Sequence, residues 1–88
     1  MIQKTAVVKN KLGLHARPAA LLVQTASRFS SDITFSKDGF TVNGKSIMGV
    51  LMLAAGSGSE VIVAADGKDE EQVIEEIFAL FEQGFGEE

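Results

Sequence analysis

The order of two hydrophobic periodicities constrains the fold of this 88-residue chain more than any other feature. Short segments in which apolar and polar residues alternate predict half-buried strands over 2–8, 33–36 and 40–42, and the β-branched sequence of 61–65 predicts a central strand. Apolar residues at three- and four-residue spacing predict amphipathic helices over 16–27 and 73–81, and 47–53 is a short apolar segment that suits a third helix. The order strand, helix, strand, strand, helix, strand, helix predicts an α+β fold, a two-layer sandwich in which one sheet face packs on the helices.

Short sequence signals for a turn and for a helix cap lie between these predicted elements. Asp38-Gly39 separates the second and third predicted strands and is typical of a two-residue hairpin turn. Asp69 and Gln72 are spaced as a capping pair at the start of the last helix. The glutamates that follow are interpreted as a solvated helix face.

Composition restricts the function classes open to the chain, which we interpret as one domain over 1–88. A formal net charge of −4 argues against nucleic-acid binding, and zero cysteines with one histidine argue against a zinc site. We therefore expect no metal and no cofactor. No apolar run is long enough to span a membrane and the first residues lack a signal-peptide core, so we expect a cytoplasmic protein that does not insert into membranes. We also expect a monomer.

Residues 13–18, Gly-Leu-His-Ala-Arg-Pro, contain the only histidine and the only proline of the chain. Proline is favoured in the first turn of a helix, so Pro18 indicates that a helix begins directly after His15. The free N–H groups of that turn, including the N–H of Ala16, favour a bound anion, and the Arg17 guanidinium is shaped for phosphate oxygens. The helix dipole disfavours imidazolium, which keeps His15 neutral and nucleophilic. The segment thus predicts a phosphoryl-accepting histidine, whereas a lone histidine at a helix start is more often an ordinary surface residue.

The segment from Gly13 to Ala20 resembles the active-site segment of the HPr family, the histidine phosphocarriers of the phosphoenolpyruvate-dependent sugar phosphotransferase system. The resemblance extends over nearly the whole chain in length and element order. It implies an open-faced sandwich, with a four-stranded antiparallel sheet covered on one face by three helices. It also implies that His15 accepts a phosphoryl group from enzyme I, through the imidazole Nδ1, and passes it to sugar-specific IIA domains. Such a protein is a carrier rather than an enzyme.

A second segment, Lys45-Ser46-Ile47-Met48-Gly49-Val50, resembles the regulatory serine region of HPr proteins of the Gram-positive type. Ser46 itself predicts a helix N-cap. The resemblance implies that an HPr kinase/phosphorylase modifies Ser46 at the expense of ATP, and that the modified protein binds a catabolite control repressor.

We expect Ile47, Val50 and Leu51 to face the sheet and Met48 and Met52 to lie partly exposed, in a patch that docks partners. The predicted partner-binding residues are Leu12, Ala20, Gln24, Ile47, Met48, Gly49, Leu51 and Met52. Position 12 is often small or polar in the family, so Leu12 departs from the pattern and could extend the apolar docking surface. The stretch 53–59 is also smaller and richer in glycine than the family leads us to expect.

Two alternatives remain open from the sequence. Residues 39–46 satisfy the pattern G-x-x-x-x-G-K-[ST] of a phosphate-binding loop, which would indicate a nucleotide-binding protein. The strand-like character of residues 40–42 argues against that reading. A nitrogen-branch phosphocarrier would share the histidine motif, but is not expected to carry the Ser46 segment.

Overall fold

The computed structural model describes residues 1–87. It contains, in chain order, the strands and helices β1 (Ile2–Val7), α1 (Ala16–Ser27), β2 (Asp32–Lys37), β3 (Phe40–Asn43), α2 (Ile47–Met52), β4 (Glu60–Asp66) and α3 (Glu70–Glu82). A single 3₁₀ turn, Gly84–Gly86, follows α3. The predicted order of elements is confirmed, and the boundaries of α1 are those that its periodicity predicted.

The four strands form one antiparallel sheet in the order β1-β4-β2-β3. Strand β4 is central, as its β-branched sequence predicted, and pairs with β1 on one side and β2 on the other. Along β4, buried Val61, Val63 and Ala65 alternate with the exposed Glu60 and Ile62. This alternation places one sheet face against the helices and leaves the other open, so the open-faced sandwich is confirmed.

The core lies between the sheet and the helices. Its largest fully buried side chains are Phe35 from β2, Phe81 and Ile77 from α3, Phe85 from the 3₁₀ turn, and Leu22 from α1. Helix α1 buries Pro18, Ala19, Leu22 and Ala26, which recur at the spacing of one helix face. Each helix therefore contributes one stripe of side chains to the core.

The β2–β3 hairpin turns at Asp38-Gly39, as predicted. Both residues have positive φ, 50° for Asp38 and 83° for Gly39, which is the requirement of a tight two-residue turn. The hydroxyl groups of Ser36 and Thr41, opposite each other in the register, form a hydrogen bond of 2.8 Å across the two strands. The hairpin is therefore stabilised by a turn and a cross-strand hydrogen bond between residues that are close in the chain.

The capping pair predicted at the start of α3 is wrong. Asp69 is the N-cap residue, but its side chain makes no capping hydrogen bond. Its carboxylate instead accepts hydrogen bonds from the backbone N–H groups of Ser30 and Ser31, at 3.0 Å each, and from the Ser31 hydroxyl. The Ser31 hydroxyl, followed by the Ser30 N–H, lowers the pKa of Asp69 from its ordinary 3.8 to about 2. Asp69 thus joins the start of α3 to the loop between α1 and β2.

The predicted orientation of α2 is only partly right. Val50 is fully buried, but Ile47 and Leu51, expected to face the sheet, are 46% and 37% exposed. Gly49 lies close to β3 instead, since a Cβ on it would stand 3.2 Å from the Cβ of Val42. A six-residue helix has room for only one close line of contact with the sheet, and here that line runs through Gly49 and Val50.

None of the helices within residues 1–87 is both long enough and apolar enough to cross a membrane.

Candidate functional site

His15 is the N-cap of α1, and the first helical residues are Ala16, Arg17 and Pro18, as predicted. The His15 carbonyl accepts the first helical hydrogen bond, from the Ala19 N–H at 3.0 Å, while the His15 ring makes no capping bond. Pro18 has no N–H to satisfy. The His15 side chain therefore does not occupy the N–H groups of the first turn, an arrangement that suits a bound anion.

The loop before His15 is fixed against the segment that follows α2. Leu14 donates its N–H to the carbonyl oxygen of Ala55 at 2.9 Å. Gly13 has φ of 74°, and a Cβ on it would stand 2.5 Å from the Ala55 oxygen. Only glycine fits this close approach, so Gly13 fixes the path of the loop directly before His15.

Arg17 lies on the exposed side of the first turn and reaches the C-terminal segment. Its Nη1 donates to the carbonyl oxygen of Phe85 at 2.6 Å and to Glu87 Oε2 at 3.3 Å. The side chain is 56% exposed. A guanidinium carries five N–H donors, so these two contacts leave other donors free for an incoming anion.

A carboxylate that the sequence analysis did not identify pairs with the histidine ring. Glu87 places Oε1 at 3.0 Å and Oε2 at 3.1 Å from His15 Nε2. The hydrogen bond from His15, aided by those from Asn10 and Arg17, lowers the pKa of Glu87. An ionised carboxylate only accepts hydrogen bonds, so Nε2 carries the proton in this contact and Nδ1 is the nitrogen without one in the neutral ring.

Asn10 donates a hydrogen bond to the Glu87 carboxylate from the interior of the domain. Its Nδ2 donates to Glu87 Oε1 at 3.0 Å and to the Gly13 carbonyl oxygen at 2.7 Å. The residue is 1% exposed. Asn10 therefore links the loop that carries His15 to the C-terminal segment.

Sequence reasoning missed Asn10, Phe85 and Glu87 because they lie far along the chain from His15 or carry no motif. Two signals were present nonetheless. Phe85 stands four residues after Phe81, and it lies between two glycines. In the structure, Phe85 is buried against the Phe81 ring, with 5.2 Å between the ring centroids. An aromatic side chain anchored in this way indicates that the residues after α3 fold back onto the domain.

Ser46 caps α2, as predicted. Its backbone is extended, with φ of −118°, and its hydroxyl oxygen accepts the Gly49 N–H at 3.1 Å. The Ser46 carbonyl accepts the Val50 N–H at 3.0 Å. The second predicted site is thus a helix start that is closed by its own side chain.

The predicted partner-binding residues divide into two groups. We name the exposed apolar group the α2 surface; it consists of Ile47, Met48, Leu51 and Met52. Met48 and Met52 are 71% and 64% exposed, more than predicted. Leu51 shares with Leu12, which is 72% exposed, a shallow depression that also borders His15. The α2 surface and the histidine therefore belong to one continuous side of the molecule.

The remaining predicted contact residues are placed differently. Ala20 is half-buried and Gln24 is exposed, both farther along α1 than the depression beside His15. Gly49 is half-buried against β3. Of these three residues, only Gln24 offers an exposed side chain to a partner.

The phosphate-loop pattern of residues 39–46 does not form a phosphate loop. Residues Phe40–Asn43 are a strand paired with β2, and the Gly44 N–H donates to the Ile33 carbonyl oxygen at 2.7 Å. The segment is thus a paired strand followed by a turn, and not a loop that wraps around a phosphate. Within residues 1–87, no three histidine, cysteine, aspartate or glutamate side chains come together in a way that would hold a metal ion.

The fold and this site define a class, that of small α+β domains in which a histidine and an arginine share an open helix start. The chain matches, over residues 2–83, the family described as "PTS HPr component phosphorylation site". It is 51% identical to the phosphocarrier protein HPr of Treponema pallidum over 88 residues, which is all of both chains. The HPr crystal structure from Thermoanaerobacter tengcongensis superposes with a TM-score of 0.96 at 53% identity, covering 100% of this chain and 99% of the other.

A relative of a second kind is also similar. The solution structure of Crh, described as the Bacillus subtilis catabolite repression HPr, has a TM-score of 0.68 and 49% identity over 91% of this chain and 95% of its own. The chain belongs to the HPr family of phosphocarrier proteins of the phosphotransferase system.

Proposed function

We propose that the protein carries a phosphoryl group on His15, accepted from phosphorylated enzyme I and passed to the IIA domains of sugar permeases. The observation that carries this proposal is the pairing of an imidazole and a guanidinium at one open helix start, with His15 as N-cap and Arg17 in the first turn. The protein acts in the cytoplasm as a transiently phosphorylated carrier, without turning over a substrate of its own.

The accepting atom is Nδ1 of His15. The contact between Nε2 and the Glu87 carboxylate, 3.0 Å at the shorter distance, supports this choice because it leaves Nδ1 with the lone pair. A bond forms between Nδ1 and phosphorus while the bond between phosphorus and the donor imidazole breaks, and the donor nitrogen keeps the electron pair. Transfer of this kind depends mainly on alignment and charge stabilisation.

The phosphoryl oxygens are stabilised by the N–H groups of Ala16 and Arg17 and by the guanidinium of Arg17. Helix-start N–H groups and a planar guanidinium are both suited to phosphate oxygens. Pro18 fixes the first turn without adding a donor. None of these contributions requires a metal ion.

Ser46 is the regulatory position. The hydroxyl that caps α2 is half-buried at the edge of the α2 surface. An HPr kinase/phosphorylase transfers phosphate from ATP to this hydroxyl, and the helix dipole favours the added charge at that end. The phosphorylated form docks poorly to enzyme I and binds a catabolite control repressor. The similarity to Crh, described as a catabolite repression HPr, supports this second role.

The test is incubation with phosphoenolpyruvate and enzyme I, followed by intact-mass analysis of the wild type and of His15→Ala. The wild type should gain one acid-labile phosphoryl group, while His15→Ala should gain none and keep the amide NMR spectrum of a folded domain. The His15 side chain is 38% exposed and outside the core, so its loss should not unfold the protein. Undiminished labelling of His15→Ala would contradict the proposal.

A further inference from the structure

We infer that Asn10 is a positioning residue for phosphoryl transfer: it holds the Glu87 carboxylate on His15 Nε2 and thereby keeps Nδ1 as the unprotonated nitrogen. The inference rests on the proposed function, because it concerns the ring that accepts the phosphoryl group. It adds a residue that does not touch the reacting atoms and acts on the ring tautomer through Glu87.

The amide of Asn10 is oriented by two acceptors. Its Nδ2 lies 2.7 Å from the Gly13 carbonyl oxygen and 3.0 Å from Glu87 Oε1, so both partners require the N–H side of the amide. The Asn10 Oδ1 atom is buried and, within residues 1–87, has no hydrogen-bond donor. Burial of an unpaired oxygen costs stability. The value of Asn10 at this position therefore lies in its two donated hydrogen bonds.

The C-terminal segment is anchored so that Glu87 meets this amide. Phe85 is 2% exposed and packs edge-on against Phe81. The segment also passes close to the asparagine, since a Cβ on Gly84 would stand 3.8 Å from the Asn10 backbone nitrogen. Glu87 itself is only 18% exposed. Phe85 thus brings the carboxylate to the site, and Asn10 fixes it there.

The carboxylate acts on the ring before and after transfer. Before transfer, it accepts the Nε2 proton and leaves the lone pair on Nδ1. After transfer, the ring carries phosphorus on Nδ1 and the same proton on Nε2, and so bears positive charge that the neighbouring carboxylate stabilises. No proton leaves the ring at any step. Loss of Asn10 should therefore disturb both the tautomer of the free protein and the rate of acceptance.

The first measurement is the tautomer of His15, read from ring ¹⁵N chemical shifts at a pH where the ring is neutral. The wild type should show the Nε2–H tautomer alone. Asn10→Asp, which keeps the size but replaces the Nδ2 donor with a charge that repels Glu87, should show a mixture of tautomers. Glu87→Ala should show the same mixture. Glu82→Gln, which removes a charge at the end of α3 from a residue paired with Lys9, is the control and should match the wild type.

The second measurement is the rate of phosphoryl transfer from enzyme I. Asn10→Asp and Glu87→Ala should each lose about two- to fivefold, the scale of a partly exposed ion pair. Asn10→Ala should have no further effect on the tautomer in a Glu87→Ala background, because Asn10 acts through that carboxylate. A residual effect of Asn10→Ala on stability is expected there, since it also removes the bond to Gly13.

The outcomes separate the two proposals. A wild-type tautomer in Glu87→Ala or Asn10→Asp would overturn the role of Asn10, even if His15 is phosphorylated normally. Faster transfer in Glu87→Ala would also overturn it and would make the C-terminal segment an inhibitor. A wild-type protein that takes up no phosphoryl group would contradict the proposed function, and the tautomer measurement would still decide whether Asn10 controls the ring.

Discussion

The starts of α1 and α2 carry the two predicted phosphorylation sites, and they differ in what satisfies their backbone N–H groups. At α2, the Ser46 hydroxyl accepts the Gly49 N–H within its own turn. At α1, the His15 ring makes no capping bond and turns instead to Glu87, 72 residues away in the chain. The α2 start is therefore closed by its own side chain, whereas no side-chain cap closes the α1 start.

The same difference separates chemistry from docking. An open helix start beside an imidazole suits a group that is transferred many times. A serine that caps a helix at the edge of the α2 surface suits a modification that changes how partners bind.

The largest effect is expected from Arg17→Ala. Removing the guanidinium should slow transfer to and from His15 about tenfold or more, since a charge-stabilising donor is lost from the transition state. Arg17→Lys should restore only part of the rate because an ammonium cannot form the bidentate contact. Rates are measured by rapid quench with enzyme I, and Arg28→Ala, at the other end of α1, is the matched control. Wild-type rates in Arg17→Ala would show that the open start needs no guanidinium.

Phosphorylation of Ser46 should raise the KM of enzyme I for this protein by about tenfold, because a dianion at the α2 surface must be desolvated against the partner. Ser46→Asp carries less charge and should have a smaller effect. Steady-state phosphotransfer with the three forms separates KM from kcat. A collapsed kcat at unchanged KM would place the effect at His15 and would remove the distinction between a docking site and a chemical site.

Ser46→Ala should destabilise the domain by about 1 kcal/mol, the ordinary cost of losing an N-cap side chain. Urea unfolding provides the measurement, and Ser57→Ala, in the exposed loop after α2, is the control. By comparison, His15→Ala should change the unfolding free energy by less, since its ring caps nothing. Equal losses at the two positions would mean that the α1 start is a structural cap as well.

The smallest effect concerns the start of α3, where Asp69 provides a third case. Its carboxylate has a folded-state pKa of about 2 against an ordinary 3.8, so ionised Asp69 favours the folded state. This contribution is present above about pH 4 and is lost as the pH falls towards 2. The difference in urea midpoint between wild type and Asp69→Asn should therefore shrink over that range. A constant difference for Asp69→Asn would contradict the pKa shift.

The sequence predicted the features that depend on interactions between neighbouring residues, and it did not predict those that depend on contacts between distant segments. The hairpin at Asp38-Gly39, the helix start at Pro18 and the cap at Ser46 depend on neighbours in the chain, and all three are as predicted. The errors and omissions depend on contacts between distant segments. Asp69 had the spacing of a capping residue, but Ser30 and Ser31 compete for its carboxylate.

The candidate site shows the same division. His15, Ala16, Arg17 and Pro18 lie in one helical turn, so their arrangement could be predicted from their order alone. The contacts of Glu87 with His15 and Asn10 join residues 72 and 77 positions apart, and no local pattern encodes them. The exposure of Ile47 and Leu51 also depends on how a six-residue helix meets β3, which hydrophobicity alone did not determine.

The most direct test of the open start is the location of the phosphoryl group itself. The ¹⁵N-labelled protein, phosphorylated by enzyme I and phosphoenolpyruvate, can be examined by long-range ¹H–¹⁵N correlation with detection of phosphorus coupling. The account predicts coupling at Nδ1 of His15 and a proton retained on Nε2 beside Glu87. Coupling at Nε2, or a phosphoryl group on any other residue, would contradict it.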